Sequence, residues 1–277
     1  MNHDSTPGEL HGKVCLIVGA SGTLGAAVAR SFAQAGARLV LSGHSVIPDD
    51  PRSNGQTRCI QFDIRKWNDV GGALRRVQED FGALDVVVNC SGIQGPIGPA
   101  QTTDPEEWVR AVEVNLFGCF FLARAAVPIM LHQGSGKIIF FSGGGAASAR
   151  PFFSAYGAAK AAVVRFTESL AEELRDTDVQ VNAIAPGAVR SRMWNEMRAA
   201  GSAGGLGLVE ELRQMDLSGG VPAERAAALA LFLASGRSQN LSGRLISAVH
   251  DKWEEMGPRI SKIMSTEAGT LRRIPLD

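Results

Sequence analysis

The chain has 277 residues and carries 28 Lys and Arg residues against 28 Asp and Glu residues, so its formal net charge is zero. This balance gives no electrostatic reason to expect binding to nucleic acid or to an anionic membrane surface. No apolar run suggests a membrane span of roughly 20 residues, and residues 1–12 show no signal-peptide core. The cysteines are scattered without metal-ligand spacing, which indicates buried thiols, no metal site and a cytoplasmic location. They are Cys15, Cys59, Cys90 and Cys119.

The first predicted element is a strand that ends in a glycine-rich turn. The apolar residues 14–18 are followed by Gly19, Gly22 and Gly25, and residues 26–35 have the composition of a helix. A strand, a glycine turn and a helix N-terminus together form an anion site, because backbone N–H groups and the helix dipole face the ligand. A plain strand–helix turn often has one glycine. Three glycines at a spacing of three favour dinucleotide binding over that alternative.

Further strands alternate with helices along the rest of the chain. We predict strands at 38–42, 57–62, 84–89, 137–142, 179–185 and 244–249. Helical patterns occupy the intervals, for instance 67–81, 106–132 and 223–234. This alternation predicts an α/β protein, a three-layer doubly wound Rossmann fold with a parallel seven-stranded sheet. We expect a single domain over residues 1–277, with a core at about 10–250 and a C-terminal extension at about 251–277.

Tyr156 and Lys160 form a second motif. The stretch from 154 to 173 is rich in Ala, Leu and Glu and predicts a helix, in which a spacing of four puts both side chains on one face. A lysine ammonium there would favour the ionised phenol and lower the pKa of the tyrosine. A tyrosine tuned in this way exchanges a proton with a substrate oxygen. Taken alone, such a pair is more often two exposed side chains without a function, but Tyr156 is the only tyrosine in the chain.

Several motifs then follow in an order that resembles the short-chain dehydrogenase/reductase family, in its compact single-domain branch. They are the glycine turn 19–25, Phe62-Asp63-Ile64, Asn89-Cys90-Ser91-Gly92, Asn115, Tyr156 with Lys160, and Pro186-Gly187. The resemblance covers residues 10–250 approximately. It implies an NAD(P)-dependent oxidoreductase that interconverts a secondary alcohol and a ketone by hydride transfer. It also implies a small-molecule carbonyl or alcohol substrate and a homo-oligomer, either a dimer or a tetramer.

The resemblance implies roles for three catalytic residues. Tyr156 corresponds to the acid/base. Lys160 corresponds to the residue that lowers the pKa of the tyrosine and binds the nicotinamide ribose. Asn115 corresponds to the asparagine that holds a water in the proton relay, and its alternative role is a mid-helix side chain bonded to a backbone carbonyl.

The chain departs from the family at the catalytic serine, because Gly143 stands where that serine is expected. Ser142 precedes it, and Ser154 is a weaker substitute that alternatively caps its helix. Adjacent side chains of a strand point to opposite faces, so Ser142 serves only if the glycines at 143–145 let the backbone rotate. Otherwise Ser142 satisfies a backbone group.

The resemblance also implies a cofactor site along the carboxyl edge of the sheet. Asp63 corresponds to the carboxylate that meets the adenine amino group, with helix capping as its alternative role, and Ser191 corresponds to a contact of the carboxamide. The implied cofactor contacts are Gly19, Ser21, Gly22, Thr23, Leu24, Gly25, Asp63, Ile64, Asn89, Cys90, Ser91, Gly92, Tyr156, Lys160, Pro186, Gly187, Val189 and Ser191.

The choice between NADP(H) and NAD(H) depends on the end of the second strand. An NAD site usually has an acid there for the ribose 2′-hydroxyl. This chain has Ser42, Gly43, His44 and Ser45, so no carboxylate repels a 2′-phosphate and three side chains can bond it. NADP(H) is therefore favoured over NAD(H).

Two other functions remain open. The absent serine at position 143 suggests a catalytically weakened protein that binds or senses a cofactor. The Gly-x-x-Gly-x-x-Gly spacing suggests a sugar-nucleotide modifying enzyme. The substrate is not identified by the sequence, although residues 190–220 are predicted to form a flap over its pocket. Candidate pocket contacts are Gln94, Arg150, Trp194 and His250.

Overall fold

The computed structural model describes residues 8–43 and 57–276, and its centre is a parallel sheet. The strands are β1 Val14–Val18, β2 Arg38–Ser42, β3 Thr57–Ile60, β4 Val86–Asn89, β5 Gly136–Phe141, β6 Val179–Ala185 and β7 Leu245–Ser247. Their order in the sheet is β3-β2-β1-β4-β5-β6-β7. Every neighbouring pair is parallel. The predicted doubly wound, seven-stranded fold is thus confirmed.

Helices cover both faces of the sheet. They are α1 Thr23–Gln34, α2 Trp67–Phe81, α3 Pro105–Val112, α4 Gly118–Gln133, α5 Ser154–Glu173, α6 Arg192–Ala200, α7 Gly205–Ser218, α8 Ala223–Ala234 and α9 Ile260–Met264. The single helix predicted at 106–132 is instead α3 and α4 joined by a π-helical segment, Glu113–Phe117. A wider turn of this kind often marks a functional site, and Asn115 lies at its centre.

The core has one layer on each side of the sheet. Along β1, Cys15 and Ile17 face the layer that α1 and α8 cover, while Leu16 and Val18 face the layer of α2 and α4. Because helices cover both faces, all five residues of β1 are buried, which explains its unbroken apolar run. The two layers fix the carboxyl ends of β1, β4 and β5 next to one another, where the predicted motifs lie.

The helical run Pro105–Gln133 is long and apolar enough, by length and composition, to cross a membrane. Length and composition alone do not separate a membrane span from a buried core helix, so the expectation of no membrane span is not overturned. The run also packs inside the protein. Leu122, Ala126 and Met130 of α4 are buried in the layer that α2 and α4 share with the sheet. We therefore assign the run to the core of the fold.

The C-terminal residues beyond β7 pack against the rest of the chain. Trp253 and Ile260 are buried in the layer of α1 and α8. Beyond α9, Gly269 accepts a hydrogen bond from the Leu245 backbone in β7, at 2.7 Å. The extension therefore contacts β7, the edge strand of the sheet.

Candidate active site

Two backbone turns meet at the carboxyl edge of the sheet, and their closeness depends on glycine. Gly19 follows β1 with a φ of +78°, in the left-handed region. A Cβ built there would lie 2.7 Å from the backbone nitrogen of Ser91, in the turn after β4. At Gly25, a Cβ would lie 2.7 Å from the Cα of Ala20. Because these positions have no side chain, the backbone of the β1 turn lies in direct contact with the β4 turn and with α1.

The N-terminus of α1 is open toward this turn. Gly22 is the N-cap, no side chain caps the helix, and its first turn contains no acidic residue. The first N–H groups of a helix have no partner within it and carry the positive end of the helix dipole. Ser21 and Thr23 are exposed here, and Leu24 is half-buried. The turn therefore fits a dinucleotide pyrophosphate, as the glycine spacing predicts.

The turn after β4 is held by its own side chains. Asn89 Oδ1 accepts hydrogen bonds from the Ser91 backbone N–H at 3.1 Å and from Ser91 Oγ at 2.6 Å. Burial raises the pKa of the half-buried Cys90 thiol, which favours its protonated form. At Gly92, a Cβ would lie 2.8 Å from Asn115 Oδ1 and 3.1 Å from the Met193 methyl. The absence of a side chain at Gly92 therefore lets this turn pack closely against Asn115.

Three residues predicted to contact the adenosine part of the cofactor, Asp63, Ile64 and Ser42, differ in how accessible they are. The Arg65 side chain donates two hydrogen bonds to the Asp63 carboxylate, which lowers the pKa of Asp63 to about 2 and keeps it ionised. Ile64 is buried and packs against Gly118. Ser42 is 1% exposed, so its hydroxyl has little access to a ligand. The other predicted ribose contacts, at positions 44 and 45, lie outside the described residues.

The loop after β6 leads into α6. Gly187, which follows Pro186, has a φ of +81°, and a Cβ there would lie 2.7 Å from a Val249 methyl. Val189 packs against the core, and Ser191 is the N-cap of α6. The loop therefore leads from the carboxyl edge of the sheet directly into α6, which is consistent with its predicted place beside the cofactor.

Tyr156 and Lys160 lie on the buried face of α5, as their spacing predicts. Tyr156 is 8% exposed and Lys160 is 3% exposed. Lys160 Nζ donates a hydrogen bond to the carbonyl of Phe141, at 2.9 Å, and lies 5.6 Å from the centre of the Tyr156 ring. The end of β5 therefore holds the ammonium group beside the tyrosine.

The pKa of the tyrosine differs from the sequence-based expectation. Burial raises the pKa of Tyr156 to about 12, the Glu211 charge acts in the same direction, and the Arg150 charge acts against it. Burial also lowers the pKa of Lys160. The cost of ionising a buried phenol therefore outweighs the charges around it, and the lowering of this pKa by Lys160 stays a prediction. The tyrosine is held in its protonated form.

Asn115 has one satisfied and one unsatisfied end. Its Nδ2 donates to the carbonyls of Ile93 and Ala111, each at 2.8 Å. Its Oδ1 is buried and has no hydrogen-bond partner among the described residues. Gly92 packs between this oxygen and Lys160 Nζ, since a Cβ there would be 2.8 Å from the oxygen and 3.6 Å from Nζ. A water or ligand hydroxyl bonded to the Asn115 oxygen would satisfy it, as the predicted relay requires.

Ser142 is not brought to the tyrosine. Its Oγ donates to the carbonyl of Lys160, at 3.2 Å, and it is 2% exposed. By contrast, a Cβ built at Gly143 would lie 2.4 Å from Tyr156 Oη. Position 143 faces the tyrosine and position 142 faces away, because neighbouring residues at the end of a strand point to opposite sides. The prediction that Ser142 turns into the pocket is corrected. Ser154 is also engaged elsewhere, as the acceptor of a 3.1 Å bond from Trp108 Nε1.

Residues 190–220, predicted to form a flap, contain the helices α6 and α7, which we call the lid segment; its role as a flap stays a prediction. The lid packs on a separate apolar cluster, whose members are Phe153, Trp194, Met197, Leu208 and Met215. Arg150 connects the loop after β5 to this lid through Glu211, at 2.6 Å. Among the predicted pocket contacts, Gln94 is buried and His250 is exposed.

Two residues of the site were missed by the sequence analysis. Phe153 lies three positions before Tyr156, so an aromatic residue next to the motif could have indicated it. Glu211 is 61 positions from its partner Arg150. No local pattern signals a pairing at that separation.

Comparison with known proteins agrees with this geometry. Residues 13–201 match the family described as short chain dehydrogenase. A D-beta-hydroxybutyrate dehydrogenase of Rhizobium meliloti is 32% identical over 251 residues, which cover 85% of this chain and 96% of the relative. A 3-oxoacyl-acyl-carrier-protein reductase of Thermotoga maritima is 30% identical over 250 residues, which cover 86% and 96%.

Solved structures give the same result. The structure of levodione reductase superposes with a TM-score of 0.76 and 27% identity, over 86% of this chain and 96% of that protein. Together with the parallel sheet, the glycine turn and the Tyr156–Lys160 pair, these similarities show that the chain belongs to the short-chain dehydrogenase/reductase family.

Proposed function

We propose that the protein is an NAD(P)-dependent oxidoreductase that interconverts a secondary alcohol and a ketone, with Tyr156 as the acid/base. One observation carries the proposal. Tyr156 and Lys160 are buried together on α5, beside an Asn115 oxygen that has no partner among the described residues. The relatives named above as a hydroxybutyrate dehydrogenase and a reductase of an oxoacyl group support an alcohol/ketone pair.

The residues divide the chemistry among them. The N-terminus of α1 and the glycines at 19 and 92 would hold the dinucleotide, which supplies or accepts the hydride when bound. Tyr156 Oη transfers the proton to or from the substrate oxygen. Lys160, fixed by the Phe141 carbonyl, positions the ribose and brings a positive charge near the phenol. Asn115 Oδ1, which has no partner among the described residues, would hold a water that returns the proton to solvent.

The protonated tyrosine suits reduction. A phenol with a pKa of about 12 is protonated at neutral pH and can donate to a carbonyl oxygen as negative charge develops there. Oxidation of an alcohol needs the ionised phenol, so a further positive charge or hydrogen bond must first lower this pKa.

For the cofactor, we propose that NADP(H) is bound more tightly than NAD(H), by about tenfold, on the 1.4 kcal/mol scale of one added phosphate contact. Gly43, at the end of β2, carries no carboxylate that would repel a 2′-phosphate. Gly43→Asp should reverse the preference. Titration of the wild-type protein with NADPH and NADH, followed by tryptophan fluorescence, measures both affinities. Tighter binding of NADH by the wild type would overturn this choice.

We further propose a homo-oligomer, a dimer or a homotetramer, in the cytoplasm. The α3–α4 run exposes large apolar side chains, which are Val109, Phe117, Phe120 and Leu131. Exposed apolar patches of this kind mark protein–protein contacts. The cytoplasmic location is supported by cysteines without disulfide partners among the described residues, such as Cys15 and Cys119. Light scattering of the wild type and of Phe120→Glu tests the assembly.

The test of the reaction uses the single tyrosine. Tyr156→Phe removes only the hydroxyl, so turnover of a ketone should fall by at least the 10²–10⁴-fold typical of a lost general acid, with little change in NADPH affinity. Lys160→Ala should weaken both turnover and NADPH affinity. Wild-type turnover in Tyr156→Phe would contradict the proposal. NADPH binding by the wild type without reduction of any ketone would instead favour a cofactor sensor, the alternative suggested by the bare Gly143.

A further inference from the structure

Two cationic side chains flank Tyr156 along α5. Lys160 follows the tyrosine by four residues, and its ammonium lies 5.6 Å from the centre of the tyrosine ring. Arg150 lies on the other side. Its guanidinium carbon is 3.8 Å from the centre of the Phe153 ring, and Phe153 is the N-cap of α5, three residues before Tyr156. One cation is therefore about one helical turn beyond the tyrosine and the other about one turn before it.

The glycine loop after β5 gives a second measure of where Arg150 lies. A Cβ built at Gly144 would be 3.8 Å from Arg150 Nη1, and one built at Gly143 would be 2.4 Å from Tyr156 Oη. Because consecutive Cα atoms are about 3.8 Å apart, the guanidinium and the hydroxyl are separated by about 13 Å at most. A charge at that distance still acts on a buried group, since protein screens it less than water does.

Glu211, on α7, neutralises one of these two cations. Its Oε2 accepts a hydrogen bond of 2.6 Å from Arg150 Nη2, and only 17% of the Arg150 side chain is exposed. Two opposite charges this close largely cancel at a third group some distance away. Lys160 differs, because it forms no ion pair within the part of the chain that the structure describes and donates to the Phe141 carbonyl instead. One cation is therefore free to act on Tyr156 and the other is held in a pair.

The charges that shift the pKa of Tyr156 are those of this pair. Arg150 lowers the pKa and Glu211 raises it, so the two act in opposite directions on one hydroxyl. Titratable groups on the other elements packed near α5 are differently placed. In the π segment Glu113 acts on Arg65. The remaining ones are the exposed carboxylates of α3, Glu106 and Glu107, and two thiols whose pKa is raised by burial, Cys90 and Cys119.

We propose that Arg150 is a second cationic residue acting on Tyr156, and that Glu211 restrains it, so that α7 governs how readily the tyrosine releases its proton. This proposal adds a regulatory contact to the site described above and rests on the proposed function. Oxidation of an alcohol needs a further positive charge near the phenol. Arg150 provides that charge when Glu211 is removed or displaced. Arg150 acts through the tyrosine, so it is a positioning residue.

The first experiment measures the ionisation of Tyr156 directly. Because this is the only tyrosine, tyrosinate absorbance at 295 nm reports it alone, with Tyr156→Phe as the blank. The absorbance is read milliseconds after a jump to pH 11.5, before the chain unfolds. With a pKa of about 12, roughly a quarter of the wild type should be ionised. One charge at this distance is worth about one pH unit. Glu211→Gln should therefore be about three-quarters ionised, and Arg150→Gln only a few per cent.

Opposite shifts in these two variants distinguish a charge effect from a structural one. If the pair only fastens the lid segment, either substitution loosens the packing and lets water reach the phenol. Tyrosinate absorbance then rises in both variants, which would overturn the proposal. The double variant Arg150→Gln/Glu211→Gln should return close to the wild-type value, because the two changes cancel.

Two controls keep the comparison specific. Glu210→Gln is the matched control, since it also removes a carboxylate of α7 from an arginine pair, with Arg213 at 2.9 Å. It should leave the absorbance at the wild-type value. Arg150→Lys keeps the positive charge and should stay within about half a pH unit of the wild type. A shift in Arg150→Lys as large as that in Arg150→Gln would contradict a role for the charge.

A kinetic measurement separates failure of this proposal from failure of the proposed function. The kcat for oxidation of a secondary alcohol with NADP⁺ is measured against pH. Glu211→Gln should move the rising limb about one pH unit lower, so that kcat at a fixed pH on that limb rises about tenfold, while KM stays within about threefold. If no variant turns over but the absorbance shifts are opposite, the oxidoreductase assignment fails and the charge link stands. If turnover occurs and Glu211→Gln leaves absorbance and pH profile unchanged, the reaction stands and the link is refuted.

Discussion

A methyl group at position 143 should disable Tyr156 while leaving the fold intact. The Cβ of Gly143→Ala would lie 2.4 Å from Tyr156 Oη, 3.1 Å from Cζ and 3.2 Å from Cε1. Gly143 is not among the residues with positive φ, so an alanine there has no backbone strain of its own. The clash with the tyrosine is therefore the whole of the perturbation.

The size of the effect follows from these distances. Ordinary carbon–oxygen contacts are 3.4 Å or longer, so the hydroxyl and the new methyl must separate by about 1 Å. A displacement of about 1 Å at a reacting group can lower a rate about 10²-fold. Overpacking a buried site costs about 1–3 kcal/mol, and we expect the lower half of that range because the hydroxyl faces the pocket. Gly143→Ser introduces the serine that the family usually has, but its Cβ meets the same clash with Tyr156. This variant should therefore not gain activity.

The assay measures kcat for a ketone with NADPH and the free energy of unfolding in urea. Gly157→Ala is the matched control, one residue after Tyr156 on α5. Its Cβ would have no neighbour nearer than the Gly145 carbonyl oxygen at 3.5 Å, an ordinary contact. This variant should keep kcat within about twofold and gain about 0.5–1 kcal/mol of helix stability. Equal losses of kcat in the two variants, or wild-type kcat in Gly143→Ala, would refute the reasoning.

Three further predictions follow from the same structure. Ser142→Ala should lower the free energy of unfolding by about 1 kcal/mol, because the hydrogen bond to the Lys160 carbonyl is lost, and should leave kcat unchanged. A tenfold loss of kcat in this variant would show that Ser142 acts in catalysis. Because the pKa of Tyr156 is about 12, the folded protein at pH 10.5 should show little tyrosinate absorbance at 295 nm. Unfolding in urea exposes the phenol, so the absorbance should then rise. Strong absorbance before urea is added would contradict this pKa. Burial lowers the pKa of Lys137 from 10.5 to about 8, so the unfolded chain binds more protons between these values and the stability of the wild type should rise with pH in that window. Relative to Lys137→Met, the wild type should gain about 2 kcal/mol in urea unfolding between pH 7 and pH 9.5, and a constant difference would disprove the shift.

Much of the fold was predictable because its signals are local. The unbroken apolar run of β1 follows from a strand covered on both faces, and the glycine spacing after it follows from backbone contacts within one turn. The bounds of β2 and β6 agree with the sequence. Those of β3 are shorter than predicted, because pairing with β2 ends at Ile60. The π segment around Asn115 was missed, because helical periodicity does not distinguish one wide turn.

By itself, the sequence determined the alternation of strands and helices, the phosphate turn, and the shared face of Tyr156 and Lys160, since each depends on residues a few positions apart. Only the tertiary structure decided the chemistry of that face. Burial under the lid raises the pKa of Tyr156, and the end of β5 turns Ser142 away and Gly143 toward it. The pairing of Arg150 with Glu211 across the pocket was likewise decided by the fold. Desolvation, side-chain direction and long-range charge pairing depend on which segments pack together, and no local pattern encodes them.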